Sequence, residues 1–179
     1  MHRQWLLSRL ETYTPFNTEE QAMHQRLTQF VRDHAQCFER SLKIGHITGS
    51  AWIVNADRSK VLMIHHRKLD RWLQPGGHSD GDSNTLNVAL REAQEETCLQ
   101  NIQPVSEAIF DIDIHTIPGR GDEPEHEHFD VRFMLQANDE DRIARMEETN
   151  DIAWMDLDEV LAHAGEASIV RMLEKTRRA

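Results

Sequence analysis

The sequence predicts an α+β fold: a helical N-terminal extension over residues 1–42, then a domain of strands and helices over residues 43–179. Three observations carry this. Apolar residues in the first forty positions recur at three- and four-residue steps, the period of a helix with one buried face. From Ile47 the chain changes to short apolar runs and a period of two. One strongly helical stretch, near residues 84–97, then interrupts the strands. With 179 residues the chain is long enough for one domain with a full core, and forty residues are too few for an independent one.

Taken in order, Trp5, Leu6 and Leu10 suggest a short helix that stops near Pro15. Asn17 or Thr18 is placed to cap a second, with Glu19 and Glu20 in its first turn. Met23, Leu27, Phe30, Val31 and Phe38 trace its apolar face. Ala51 to Val54 and Val61 to Ile64 read as strands of a hairpin turning at Asn55-Ala56-Asp57. Pro75-Gly76-Gly77 breaks the chain, and Asp80-Gly81-Asp82 is a further turn. The clearest helix carries Leu86, Leu90 and Ala93 on one side. Phe110, Ile112 and Ile114 alternate with Asp111, Asp113 and His115, and Phe129 to Leu135 alternate likewise, so both are expected as half-buried strands around a loop from Thr116 to Glu127. Ile152 to Met155 is a short strand. Asp156 caps a helix holding Val160 and Leu161, and a last helix with Ile169, Val170 and Leu173 ends in the basic run Lys175 to Arg178.

Composition excludes several functions. The 31 acidic residues outnumber the 20 basic ones for a net charge of −11, a surface that repels nucleic-acid backbones. An anionic substrate must then be received by bound cations or by a few basic side chains. No apolar run approaches the roughly 18 residues of a membrane span. No signal peptide is visible, and two cysteines build no disulfide framework, so a soluble cytoplasmic protein is expected.

The chemistry concentrates in Arg91-Glu92-Ala93-Gln94-Glu95-Glu96. On a helix Glu92 lies one turn from both Glu95 and Glu96, so three carboxylates crowd one face. A hard divalent cation relieves their repulsion, and oxygen-only ligands suit Mg²⁺ or Mn²⁺. Arg91 is placed to orient a carboxylate. By itself the triplet reads equally well as a solvated acidic face. What shifts the balance is the glycine turn and loop ahead of the helix, where phosphates can approach backbone.

With those residues in place, the chain resembles the Nudix family. The family signature runs Gly, five residues, Glu, seven residues, Arg-Glu-apolar-x-Glu-Glu-x-Gly-apolar. Gly77, Arg91, Glu92, Ala93, Glu95, Glu96 and Leu99 fall at its spacings. Two positions depart from it: Ser83 stands at the first Glu and Cys98 at the late Gly. Cys98 implies either a helix exit that needs no positive φ or one that tolerates it at a cost.

The resemblance implies an α/β/α sandwich with a mixed sheet. It implies hydrolysis of a nucleoside diphosphate linked to another group, or of a related organic pyrophosphate, with Glu92, Glu95 and Glu96 holding Mg²⁺ or Mn²⁺ and Arg91 positioning them. A Glu outside the signature serves as base in many members; Glu123, Glu125, Glu127, Glu147 and Glu148 are the candidates. Substrate contact is expected from Arg67, Trp72, Gly76, Gly77, His78 and His128. For Trp72 packing is the stronger alternative, for His128 a polar solvent face weighs equally, and for His78 loop solvation competes. The partner is a small nucleotide or diphosphate, with no nucleic acid and no membrane, and a homodimer is left open. Two rival functions remain. One is a diphosphate isomerase of the isopentenyl-diphosphate type, which shares the fold but uses a catalytic cysteine and a His/Glu metal site. The other is a non-catalytic nucleotide-binding sensor, expected to lack the metal glutamates.

Overall fold

The computed structural model describes residues 2–122, 124–144, 149–163 and 165–179. Helix α1 spans Gln4–Thr12 and α2 spans Thr18–Asp33. The Asn17 side chain accepts the Glu20 amide at 2.8 Å, satisfying an amide that the helix itself leaves unpaired. Helix α2 stops earlier than the apolar spacing suggests. His34 is extended, and the Cys37 carbonyl accepts the Ile47 amide at 2.7 Å, which ties the segment to the sheet. Phe38 still enters the core, from a turn rather than from the helix.

The strands are β1 (Gly45–Val54), β2 (Lys60–His66), β3 (Arg71–Leu73), β4 (Gly76–His78), β5 (Gln103–Pro104), β6 (Asp111–Ile117), β7 (His126–Gln136) and β8 (Thr149–Asp156). Helix α3 (Thr85–Thr97) lies between β4 and β5, and α4 (Leu157–His163) and α5 (Ala167–Arg178) close the chain. All eight strands join one mixed sheet. β1 runs parallel to β7 along its whole length and antiparallel to β4, and it meets β2 at Val54↔Val61. β6 flanks β7, while β3 and β8 flank β2. The expected hairpin is therefore a single pair of residues, because β4 occupies the edge of β1 over Thr48 to Ser50. The glycine segment, expected only as a chain break, is itself strand β4.

Strand alternation sorts the core into two halves. Ile47, Ala51 and Ile53 join Leu6, Leu10, Leu27, Val31, Ala89 and Ala93 on the face covered by α1, α2 and α3. Trp52, Val54, Val61 and Met63 join Val160, Ile169, Met172 and Leu173 on the face covered by α4 and α5. This is the α/β/α sandwich, with the N-terminal helices contributing to its core. Among the described residues no helix is long and apolar enough to cross a membrane.

Strand β7 and the start of β6 are buried on both faces rather than half-buried. Their polar faces turn inward, where Asp111, Asp130 and Arg132 are at most 2% exposed. Arg132 binds Asp130 at 2.7 Å, Asp113 at 3.2 Å and Asp111 at 3.3 Å. From α5, Arg171 binds Asp111 at 2.8 Å, and Lys175 binds Glu20 at 2.5 Å and Asp111 at 2.7 Å. Lys175, in the basic run that ends α5, is thus a half-buried anchor between α2 and β6. Burial opposes the Glu20 carboxylate, but hydrogen bonds from Lys175, Tyr13 and the Phe16 amide outweigh it and hold its pKa down at about 2. For Asp111, burial wins and its pKa rises despite Arg171, Arg132 and Lys175.

Candidate active site

The site begins with the packing of α3 against β4. Asn84 caps the helix, its side chain accepting the Asn87 amide at 3.3 Å. Helix α3 lies over β1, where Gly49 leaves room for Val88. Gly77 pairs with Gly49 across the β1–β4 ladder and so shares its face. A Cβ at Gly77 would sit 2.5 Å from the Glu92 Cδ. With the carboxylate where it stands only hydrogen fits beneath it, and a side chain at this position would push it aside. Gly77 φ is not positive, so conformational freedom is not the requirement.

Arg91 completes the cradle. Its Nη2 donates to the His78 carbonyl at 2.8 Å and to Glu92 Oε1 at 2.9 Å. The bond to Glu92 raises the Arg91 pKa, so the guanidinium stays charged. The Gly76 amide donates to Glu96 Oε2 at 2.9 Å. Glu92 and Glu96 are thereby held onto β4, while Glu95 is exposed on α3. Carboxylate oxygens are the donors that a hard divalent cation such as Mg²⁺ or Mn²⁺ takes, but those of Glu92, Glu95 and Glu96 do not converge to within 4.8 Å of one another.

Cys98 ends α3 with φ 60, the left-handed conformation that a glycine adopts freely. Of the two readings of this departure, the second holds: the exit needs positive φ, and Cys98 supplies it with strain.

The remaining expected site residues are dispersed. Gly76 and Gly77 lie in β4 beside the glutamates, whereas His78 offers them only its carbonyl and its side chain takes the other face of the strand. Arg67 is in the exposed turn between β2 and β3. Trp72 lies in β3, half-buried against the second core half, with its ring 5.1 Å from His65. Of the candidate bases, Glu127 is held by Arg26 at 2.6 Å. By alternation along β7 it shares the face of Phe129, which stacks on Phe30 of α2. Glu125 is exposed in the loop before β7, and Glu123, Glu147 and Glu148 lie outside the described residues.

His128 is not on a solvent face. It pairs in register with His46 of β1 and with His115 of β6, and its ring lies 4.8 Å from His46 and 5.0 Å from His78. Burial, reinforced by repulsion from His46, His78, His115 and His126, pushes its pKa down to about 2, so it is neutral. Sequence reasoning passed over His46. It carries no local signal, because the parallel β1–β7 register that joins it to His128 spans more than eighty residues of chain.

A family model described as NUDIX domain matches residues 46–175, so the chain belongs to the Nudix family, whose enzymes hydrolyse phosphorus-containing acid anhydrides. No curated protein sequence matches it. Several solved structures share the fold. An Ap4A hydrolase of C. elegans, in a binary complex, superposes with TM-score 0.60 at 16% identity over 74% of this chain and 95% of its own. The dihydroneopterin triphosphate pyrophosphohydrolase of E. coli gives 0.59 at 19% identity over 74% and 96%. The NUDIX domain of Shewanella oneidensis NrtR, solved with ADP-ribose, gives 0.54 at 17% identity over 84% and 96%.

Proposed function

We propose that the protein is a Mg²⁺- or Mn²⁺-dependent pyrophosphohydrolase that cleaves the diphosphate linkage of a nucleoside diphosphate joined to another group, or of a related organic pyrophosphate. The observation that carries this reading is Arg91, which bridges Glu92 and the His78 carbonyl above the gap left by Gly77. That arrangement holds a helical carboxylate at a bare stretch of backbone, and an acidic surface helix has no need of it. Glu92, Glu95 and Glu96 would hold the cation, which when bound neutralises phosphate oxygens and lowers the pKa of the attacking water. Arg91 is the positioning residue. Gly76 and Gly77 let a substrate phosphate approach the backbone, and Arg67 and Trp72 are assigned to the remainder of the substrate. The names of the structural neighbours, two of them hydrolases of nucleotide-like polyphosphates, support the substrate class.

The isomerase reading loses its cysteine. Cys37 is buried with its thiol pushed up to about 11, and Cys98 ends α3; β3 and β4 contain none. The test is turnover on a panel of nucleoside triphosphates, ADP-ribose, dinucleoside polyphosphates and non-nucleotide diphosphates, with Mg²⁺, Mn²⁺ or chelator. Hydrolysis of one class that stops on chelation is expected. Binding without turnover across the panel would overturn the proposal in favour of a sensor.

A further inference from the structure

Successive residues of a strand face opposite sides of the sheet. Gly77 faces α3 and Glu92, so His78 faces the other side. There it lies beside Thr48, its register partner, and beside His46 and His128, which are partners of each other. Three neighbouring strands, β4, β1 and β7, thus each contribute one imidazole to a single point. One ring nitrogen from each of His46, His78 and His128 lies within 4.8 Å of the others. Among the described residues, this is the one group of His, Cys, Asp or Glu that converges so closely.

Two further histidines surround the group but are engaged elsewhere. His126 Nδ1 bonds the Pro124 carbonyl at 2.9 Å, and His115 Nδ1 bonds Asp113 at 3.2 Å. The group is partly withdrawn from water: His46 is 2% exposed, His78 and His128 are half-buried, and His128 Nε2 is buried without a hydrogen-bond partner. A buried polar nitrogen left so is costly, and a metal–nitrogen bond would offset that cost.

We propose that His46, His78 and His128 form a second metal site, for a borderline-soft transition ion of the Zn²⁺ class, on the opposite face of β4 from the glutamates. The ligand chemistry separates the two sites. Three neutral imidazoles suit Zn²⁺, Co²⁺ or Ni²⁺ and discriminate against Mg²⁺, whereas the glutamates do the reverse. Tetrahedral metal–imidazole bonds of about 2.0–2.1 Å bring ligand nitrogens to about 3.3 Å apart, so the rings close on the ion by small rotations on a fixed backbone. Three protein ligands leave a fourth position for water or a substrate oxygen.

The proposal does not depend on the hydrolase assignment, and its test reads metal binding alone. The metal-free protein is titrated with Co²⁺, whose four-coordinate form absorbs strongly in the visible where six-coordinate, all-oxygen Co²⁺ absorbs weakly. Wild type is expected to gain this absorption at one ion per chain. Loss of Co²⁺ affinity by about 100-fold or more is expected in His128→Gln and His78→Gln, each checked for folding by circular dichroism, with retention in Glu92→Gln and Glu96→Gln. Because His46 is the most buried of the three, the two more accessible histidines carry the test. Weak absorption only in the wild type, or strong absorption that survives both histidine substitutions, would overturn it.

Discussion

Replacing Gly77 by alanine isolates the relation between β4 and α3. The new Cβ would stand 2.5 Å from the Glu92 Cδ, where carbon atoms in contact need about 3.5–4.0 Å. The carboxylate must therefore shift by about 1 Å or more, and the Arg91–Glu92 bond of 2.9 Å shifts with it. A misplacement of about 1 Å near reacting groups costs about 10²-fold in rate. The backbone tolerates alanine, because Gly77 φ is not positive, and overpacking costs about 1–3 kcal/mol. For a chain of this length that lowers Tm by roughly 2–12 °C. The assay is kcat/KM on the best panel substrate, with Mn²⁺ affinity measured separately by electron paramagnetic resonance. A folded Gly77→Ala protein with wild-type kcat/KM and wild-type Mn²⁺ affinity would refute the role given to this glycine.

Other consequences concern stability. Lys175→Met removes the cation bonded to the buried Glu20 carboxylate at 2.5 Å, while Asp111 keeps Arg171 and Arg132; a loss of about 3–5 kcal/mol is expected at pH 7, and an unchanged urea midpoint would contradict it. The folded pKa of Glu20 lies below its ordinary value, so its contribution is present above pH 4.5 and is lost as the pH falls toward 2. That amounts to roughly 3 kcal/mol, and the acid loss should be shallower in Lys175→Met than in wild type. Cys98→Gly relieves left-handed strain of about 1–2 kcal/mol, for a rise in Tm of about 2–8 °C; no rise would show that the αL exit is unstrained.

Where a feature depended on neighbours in sequence, it was legible. Asn17 caps α2 as its place ahead of Glu19 and Glu20 suggests, and α3 spans Thr85–Thr97 where a helix is expected from about Asn84 to Thr97. Features that depend on distant pairing were not. β4 is three residues long, Gly-Gly-His, too short to show a period. The alternation in β6 and β7 was read correctly, but a polar stripe in sequence does not reveal that Arg132, Arg171 and Lys175 neutralise it from within. The histidine group needed the β1–β7 and β1–β4 registers together. Arg67 lies exposed in the turn between β2 and β3, a placement that charge in sequence could not give, since it says nothing of where a turn projects.

The most direct test of the central claim compares Mg²⁺-dependent hydrolysis by wild type, Glu95→Gln and Glu96→Gln on the substrate that the panel identifies. Each substitution removes a charge from the proposed metal face while keeping the side-chain shape. Losses of about 10²-fold or more in kcat/KM, with unchanged circular dichroism, are expected. Equal turnover by all three proteins would contradict the assignment of the catalytic metal to α3.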